Sequence, residues 1–119
     1  MAFAWKEYLE LAHFLALGQN GFSQEAAFRS AVSRAYYAAF CHARNYARDR
    51  HGFSLARSPQ DHWRVIAHFR SRRRDDIARC LEVLRQWRNR CDYDDVVSGI
   101  SHVLASILAQ AQQVITRLS

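Results

Sequence analysis

Glycine and proline are scarce in this sequence, with four Gly and one Pro among 119 residues. Both residues interrupt regular elements and supply turns, and turn-rich β folds need many of them. Because half of the residues are also hydrophobic, the composition favours an all-helical fold. The chain is long enough to bury one ordinary core, so residues 1–119 are predicted to form a single helical domain.

Several other features are missing, and each absence excludes a class of protein. No apolar run approaches the roughly 18 residues of a membrane span, and the start MAFAWKEYLE lacks the layout of a signal peptide. The three cysteines, Cys41, Cys80 and Cys91, form no C-x-x-C pair and are expected to be reduced thiols. The sequence therefore predicts a cytoplasmic protein without membrane contact.

Motifs for cofactors and metals are also absent. The sequence has no G-x-G-x-x-G, no P-loop and no G-x-S-x-G. The spacing of Cys and His does not match that of a zinc site. We therefore expect neither a cofactor nor a metal ion.

Basic residues outnumber acidic ones, 17 against 11, and nearly all of them are Arg. The planar guanidinium group matches the geometry of phosphate and carboxylate. The formal net charge of +6 is suited to a nucleic acid or an acidic protein partner. Plain solubility would also account for this charge, so composition leaves both interpretations open.

The stretch from Arg29 to Ala47 is predicted to be the central helix of the fold. It contains six Ala and neither Gly nor Pro, and its apolar residues recur at three- and four-residue steps. Small side chains let neighbouring helices approach closely, which indicates a helix packed from several sides. Tyr37 lies on the opposite face, flanked by Arg34 and Arg44, where it is available for a second contact.

Start and stop signals divide the chain into five helices. Ser23 is suited to cap the second helix, Gly52 to end it, and Ser58-Pro59 to begin the third. Asp75 and Asp76 favour a helix start there. The first predicted helix runs from Phe3 to Leu17, with stop signals at Gly18 and Asn20-Gly21. The second runs from Ser23 to about Arg50 and the third from Pro59 to about Arg70. The fourth runs from Asp75 to a bend near Asp92–Asp95, and the fifth from Val97 to Leu118.

Arg88 is the most informative single residue. Eleven residues after Ile77, at about 100° per residue, it lies within about 20° of Ile77 around the helix, on the side of Leu81 and Leu84. A guanidinium in an apolar stripe is costly unless it is paired. Two interpretations stay open: an ion pair with Asp92, one turn later, or a site for an anion such as phosphate.

Three stretches of the chain resemble the HEPN domains, specifically the small stand-alone prokaryotic members. Ser33–Phe40 (SRAYYAAF) is similar to the family's RAYYAxF helix, Asp61–Phe69 (DHWRVIAHF) to its H-x-x-V-I-x-x-F helix, and Arg88–Tyr93 (RNRCDY) to its R-N-x-A-D-Y turn. They occur in the family's order and spacing, and the resemblance covers about residues 3 to 118.

This resemblance implies a four- to five-helix up-and-down bundle that forms a homodimer. In many relatives the dimer cleft is a metal-independent RNase site, in which an Arg and a His four to six residues further on help the ribose 2′-oxygen attack the adjacent phosphate. Such relatives often pair with a small nucleotidyltransferase as toxin and antitoxin.

The chain departs from this pattern where the family His is expected. Arg88 matches the family Arg, but the window after it holds Asp92 and Tyr93 and no His. His62 and His68, on the third helix, are predicted to be structural. A positioned acid–base group typically contributes ~10²–10⁴ in rate, so the usual RNase route lacks one of its two groups.

Three functions therefore remain. The first is a HEPN-type subunit of a nucleotidyltransferase system that binds RNA or nucleotide in a dimer cleft. The second is an RNA-cleaving toxin with an altered site formed by Arg88, Asp92 and Tyr93. The third is a structural dimerisation module. The Arg70–Arg74 run is either a solvated loop or a phosphate contact. The predicted binding residues are Arg34, Tyr37, His42, Arg72, Arg73 and Asn89.

Overall fold

The protein is a bundle of five helices in the computed structural model, which describes residues 1–19 and 21–119. No strand occurs in these described ranges, so the predicted all-helical fold is confirmed. The predicted stop signal at Asn20 lies outside the described residues. The helices are α1 (Lys6–Ala16), α2 (Gln24–His51), α3 (Asp61–Ser71), α4 (Asp75–Tyr93) and α5 (Ile100–Arg117).

The central helix α2 is 28 residues long and packs against each of the other four helices. Its alanines are almost fully inaccessible to solvent between residues 31 and 47. These small side chains let α1, α4 and α5 approach the α2 backbone closely, as the alanine spacing predicts. The hydrophobic core therefore forms around α2, with buried residues of the other four helices packed against it.

Local signals fix several helix ends as predicted. The Ser23 hydroxyl accepts a hydrogen bond from the Ala26 N–H at 3.1 Å, and Gly52 ends α2 at a left-handed φ of +65°. Three helices begin later than predicted: α1 at Lys6 instead of Phe3, α3 at Asp61 instead of Pro59, and α5 at Ile100 instead of Val97. The Asp61 N–H donates to the Ser58 carbonyl at 3.0 Å, so a separate tight turn precedes α3. Gly99, at φ +79°, delays the start of α5 beyond Val97.

The connection between α2 and α3 is held in place by one carboxylate. Asp61 is 6 % exposed, and its oxygens accept the backbone N–H groups of Ala56 and Arg57 at 3.0 and 2.8 Å. An ion pair to Arg64 at 2.7 Å completes its surroundings. As a result Arg57 is fixed at a φ of +56°, beside the start of α3.

Within the described ranges, none of the helices combines the length and the apolar character that crossing a bilayer requires.

Candidate anion-binding site

A cavity of about 770 Å³ opens between the start of α1, the middle of α2, the α2–α3 connection and α4. Asp61 is the one acidic residue among its described lining residues. The carboxylate of Asp61 is already hydrogen-bonded to the backbone of the α2–α3 connection. We call this the arginine cavity, because five arginines line it: Arg34, Arg44, Arg57, Arg85 and Arg88. Aromatic rings form much of the remaining wall: Trp5, Tyr8, Tyr37, Phe40 and Tyr93.

Arg88 is held from several directions. One terminal nitrogen, Nη2, donates to the Tyr37 hydroxyl at 2.6 Å, and the other, Nη1, donates to Asn89 Oδ1 at 3.0 Å. Its Nε lies 2.9 Å from Asp92 Oδ2, although the N–H is not aligned with that oxygen as a hydrogen bond. The predicted ion pair is therefore present, while the guanidinium also faces the cavity.

Asp92 supports Arg88 from outside the cavity. Its Oδ2 also accepts a hydrogen bond from the Ser33 hydroxyl at 3.3 Å, and the residue lines a second groove, formed by α1, α2 and the end of α4, that shares Arg34 with the arginine cavity. Tyr93, by contrast, borders the arginine cavity, with its ring 5.5 Å from the Arg88 guanidinium carbon. Of the predicted catalytic residues, Arg88 and Tyr93 thus line the cavity and Asp92 is a counter-ion that orients Arg88.

Most of the cavity's positive charge is not neutralised. Arg34 lies over the rings of Tyr8 and Tyr37, at 4.7 and 5.3 Å from their centroids, and the guanidinium of Arg44 lies over Trp5 at 5.5 Å. Among the residues that the structure describes, four of the five cavity arginines form no salt bridge, and Arg88 is the exception. Such a site favours an anionic ligand.

His62 lies in the cavity wall, although it was predicted to be structural. Its Nδ1 is hydrogen-bonded to the hydroxyl of Tyr36, and its ring stacks on Phe40 with centroids 4.5 Å apart. Burial, and then the nearby Arg85 and Arg88, lower the pKa of His62 below its ordinary value of 6.5. Burial raises the pKa of Tyr36 well above its usual range, so the tyrosine stays a neutral hydroxyl.

The predicted binding residues separate into two groups. Arg34 and Tyr37 line the cavity, and Asn89 contacts Arg88 at its edge. His42 does not join them, because five residues after Tyr37 it points about 140° away around α2. Its Nε2 instead contacts the Leu118 carbonyl at 2.8 Å, so His42 lies outside the arginine cavity and its role in binding stays a prediction.

Arg72 and Arg73 are also outside the cavity. Both are exposed in the short connection between α3 and α4, and neither lines the arginine cavity. Within the same run, Arg70 pairs with Glu82 and Arg74 with Asp76. The interpretation of this run as a solvated loop fits these contacts. The role of Arg72 and Arg73 as binding residues stays a prediction, separate from the arginine cavity.

Sequence reasoning missed the aromatic wall of the cavity apart from Tyr37 and Tyr93, and it missed four basic or titratable lining residues: Arg44, Arg57, Arg85 and His62. A signal existed for Arg44, which shares a helical face with Arg34, Tyr37 and Cys41. A signal also existed for His62, because it opens the family-like stretch on α3. Arg57 and Arg85 reach the cavity through loop conformation and helix packing, which no short pattern encodes.

In the described ranges, no group of three or more His, Cys, Asp or Glu side chains could hold a metal ion. Comparison of the chain with protein-family models, with curated proteins and with solved structures finds no match.

Proposed function

We propose that the arginine cavity binds the phosphate groups of RNA or of a nucleotide. The observation that carries this proposal is the convergence of five arginines, four of them without an acidic partner among the described residues, on one cavity. Arginine binds phosphate through paired, charge-assisted hydrogen bonds. Ordered arginines held over aromatic rings are pre-organised, so little side-chain entropy is lost when an anion binds.

The aromatic wall favours a nucleotide over a small inorganic or carboxylate anion. Bases stack on tyrosine and tryptophan rings, with about 1–3 kcal/mol gained per stacked base. Tyr37 and Tyr93 both lie close to Arg88, with ring centroids 5.1 and 5.5 Å from its guanidinium carbon. A phosphate at Arg88 therefore has rings close enough to receive the adjoining base or sugar.

The HEPN assignment is part of the same proposal. The three stretches that resemble this family are far apart in sequence, yet each contributes to the cavity: Arg34 and Tyr37 from α2, His62 from α3, and Arg88 with Tyr93 from α4. This convergence supports a HEPN-type subunit, acting as a homodimer with a small nucleotidyltransferase partner.

Binding of a fluorescently labelled single-stranded RNA, measured by anisotropy over a range of salt concentrations, tests the proposal. Arg34→Ala and Arg88→Ala should each weaken binding and reduce the salt slope by about one, because each removes a phosphate contact. Arg72→Ala is the matched control, since it removes the same charge outside the cavity. Equal losses for Arg72→Ala and Arg34→Ala would contradict a specific site.

A double-mutant cycle separates binding from folding at Arg88. The Arg88 and Asp92 side chains are 15 % and 27 % exposed, so their pair is partly solvated and should contribute about 1 kcal/mol or less. We therefore expect Arg88→Ala to fold and Asp92→Asn to couple weakly to it in urea unfolding. A coupling above about 3 kcal/mol, with RNA binding intact, would make Arg88 a structural residue.

His62 supports a second candidate function, metal-independent RNA cleavage. When Nδ1–H donates to Tyr36, the lone pair on Nε2 can take the proton of a ribose 2′-hydroxyl. The 2′-oxygen then attacks the adjacent phosphorus, a 2′,3′-cyclic phosphate forms, and the 5′-oxygen leaves with a proton from solvent. Arg88 and Arg85 would stabilise the added charge on the phosphate. This arrangement differs from the predicted Arg88/Asp92/Tyr93 site in its base, because His62 lines the cavity and Asp92 does not.

The role of His62 is tested with His62→Gln, which keeps a polar side chain and removes the base. RNA affinity should remain within about threefold, while any cleavage falls by ~10²–10⁴ and stays insensitive to EDTA. A strand with a 2′-deoxyribose at the cleaved position should bind and resist cleavage. Unchanged cleavage by His62→Gln would exclude His62 as the base.

A further inference from the structure

A second, smaller groove lies between α3 and α4, next to the arginine cavity. Its α3 wall is the helical stripe Trp63, Ile66, Ala67 and Arg70, and its α4 wall is the stripe Glu82, Arg85, Gln86 and Asn89. Both stripes step by three, one and three residues, so each is one continuous face of its helix. The groove has a volume of about 320 Å³, and we call it the Trp63 groove.

Trp63 is the unusual member of this groove. Its side chain is 56 % exposed, whereas large apolar side chains normally remove most of their surface from water. The facing wall on α4 is polar, with a guanidinium and two side-chain amides. An exposed indole opposite such groups provides a flat stacking surface with hydrogen-bonding groups beside it.

The Trp63 groove is continuous with the arginine cavity. Arg85 lines both, and Asn89 in the groove accepts a hydrogen bond from Arg88 in the cavity at 3.0 Å. Trp63 also follows His62 directly on α3. A phosphate held in the cavity by Arg85 and Arg88 would therefore lie next to the Trp63 groove.

We propose that the Trp63 groove is a nucleobase subsite for a single-stranded RNA whose phosphate is held by Arg85 and Arg88. The inference rests on the proposed function and adds the class of substrate, since stacking on Trp63 requires an unpaired base. The amides of Gln86 and Asn89 can hydrogen-bond to the base edge. The acid in the groove, Glu82, is already paired with Arg70 and repels the strand less than a free carboxylate would.

The polarity of the groove favours a base over a second copy of the chain. Protein interfaces of standard size bury about 800 Å² per partner and have an apolar centre depleted of charge. The Trp63 groove instead places one exposed aromatic among charged and amide side chains over a small volume. Stacking of one planar ring, with polar contacts at its edge, fits these dimensions.

The experiment compares a short and a long ligand on the full chain. Uridine 3′,5′-bisphosphate fills the cavity alone, and an eight-residue oligouridylate can also reach the groove. Trp63→Ala should leave the affinity for the bisphosphate unchanged and weaken oligouridylate binding about 5- to 150-fold, because one stacked base is lost. Trp63→Phe should retain most of the affinity. Val96→Ala, which removes an apolar side chain that is 80 % exposed between α4 and α5, is the control.

The outcomes distinguish this inference from the proposed function. Equal oligouridylate affinity for Trp63→Ala and the parent chain would overturn the subsite and leave phosphate binding in the cavity intact. Failure of the parent chain to bind either ligand would overturn both. A lower molar mass of Trp63→Ala in light scattering would place a second copy in the groove and overturn the subsite.

Discussion

At the scale of single residues, Arg57 has an unfavourable backbone conformation at a position where its side chain borders the arginine cavity. Its φ of +56° lies in the left-handed region, which costs a residue with a Cβ roughly 1–2 kcal/mol. The two backbone hydrogen bonds to Asp61 hold it there, and its side chain borders the arginine cavity. Strain of this kind persists where the surrounding structure fixes it, often at functional sites.

We expect Arg57→Gly to stabilise the fold and weaken RNA binding. Glycine relieves the strained φ, partly offset by its greater freedom in the unfolded chain, so the free energy of unfolding should rise by up to about 1 kcal/mol. RNA affinity should fall because a cavity cation is removed. Urea unfolding and RNA anisotropy measure the two effects.

Two variants in the same connection control this experiment. Arg57→Ala removes the charge but keeps the strain, so it should weaken binding without gaining stability. Ala56→Gly, where φ is not positive, should lower stability. A loss of stability in Arg57→Gly similar to that in Ala56→Gly would show that φ at position 57 carries no strain.

At the scale of elements, α3 is tied to the end of α2 by two histidines. His51 Nδ1 lies 2.8 Å from His68 Nε2, and the His68 ring packs against Phe53 at 4.8 Å. A single proton between these two nitrogens forms the hydrogen bond, so both histidines can stay neutral. If both rings were protonated, two positive charges would lie side by side. Burial and nearby arginines lower the pKa of His51, and burial followed by His51 lowers that of His68.

The fold should therefore lose stability between pH 7.5 and pH 5.5. Both histidines have a lower pKa when folded than their ordinary value of 6.5, so the unfolded chain binds more protons as the pH falls through that value. Stability is complete above pH 6.5 and declines below it. Urea unfolding at the two pH values measures the decline.

His68→Gln should make this decline shallower, because it removes one member of the pair. Some loss of stability at low pH should remain in this variant, because the pKa of His62 is also lowered in the fold. His102→Gln, on an exposed face of α5, should leave the decline unchanged. An equal pH dependence in His68→Gln and the parent chain would contradict a role for the pair.

The elements were largely predictable because their signals are local. Ser23, Gly52 and the pair Asp75-Asp76 act on their own backbone, and the alanine spacing of α2 records which face is packed. The differences from prediction have two sources, one local and one that depends on a second segment. Gly99 shifts the start of α5 through its own φ, whereas Arg57 depends on Asp61 and on the closure of the connection.

The candidate site was predictable in the same limited sense. Arg88 stood out because its stripe is otherwise apolar, and its ion pair lies one turn away on the same helix. His62 was predicted to be structural because an apolar helix face is where structural histidines lie, and its place in the cavity wall was not foreseen. Its proximity to Arg85 and Arg88 arises from the packing of α3 on α4, and the spacing within α3 does not contain that information.

At the scale of the whole molecule, the homodimer stays a prediction, and its expected surface changes. The resemblance implies it, and Tyr37 was expected to be available for a second contact, but Tyr37 lines the arginine cavity. Exposed apolar side chains instead lie along α1 and just after it: Leu11 at 42 %, Phe14 at 54 % and Leu17 at 68 %. Contiguous apolar surface of this kind marks interaction sites.

We expect light scattering to give the molar mass of a dimer and Phe14→Glu to reduce it to that of a monomer. A carboxylate at the centre of this apolar surface would have to be desolvated on association. His13→Glu, one residue away on the polar side of α1, adds the same charge and should remain dimeric. A parent chain that is monomeric at the concentrations used for binding would refute the prediction.

The central position of α2 has a consequence for how the cavity opens. Amide hydrogens exchange with solvent through local or global opening, and elements packed on all sides exchange last. The α2 wall, which carries Arg34 and Tyr37, should exchange at the rate of global unfolding. The α3 wall, which carries His62 and packs mainly on α4, should exchange sooner. An RNA bound between the two walls would therefore slow deuterium uptake in α3 and leave the already slow α2 amides unchanged.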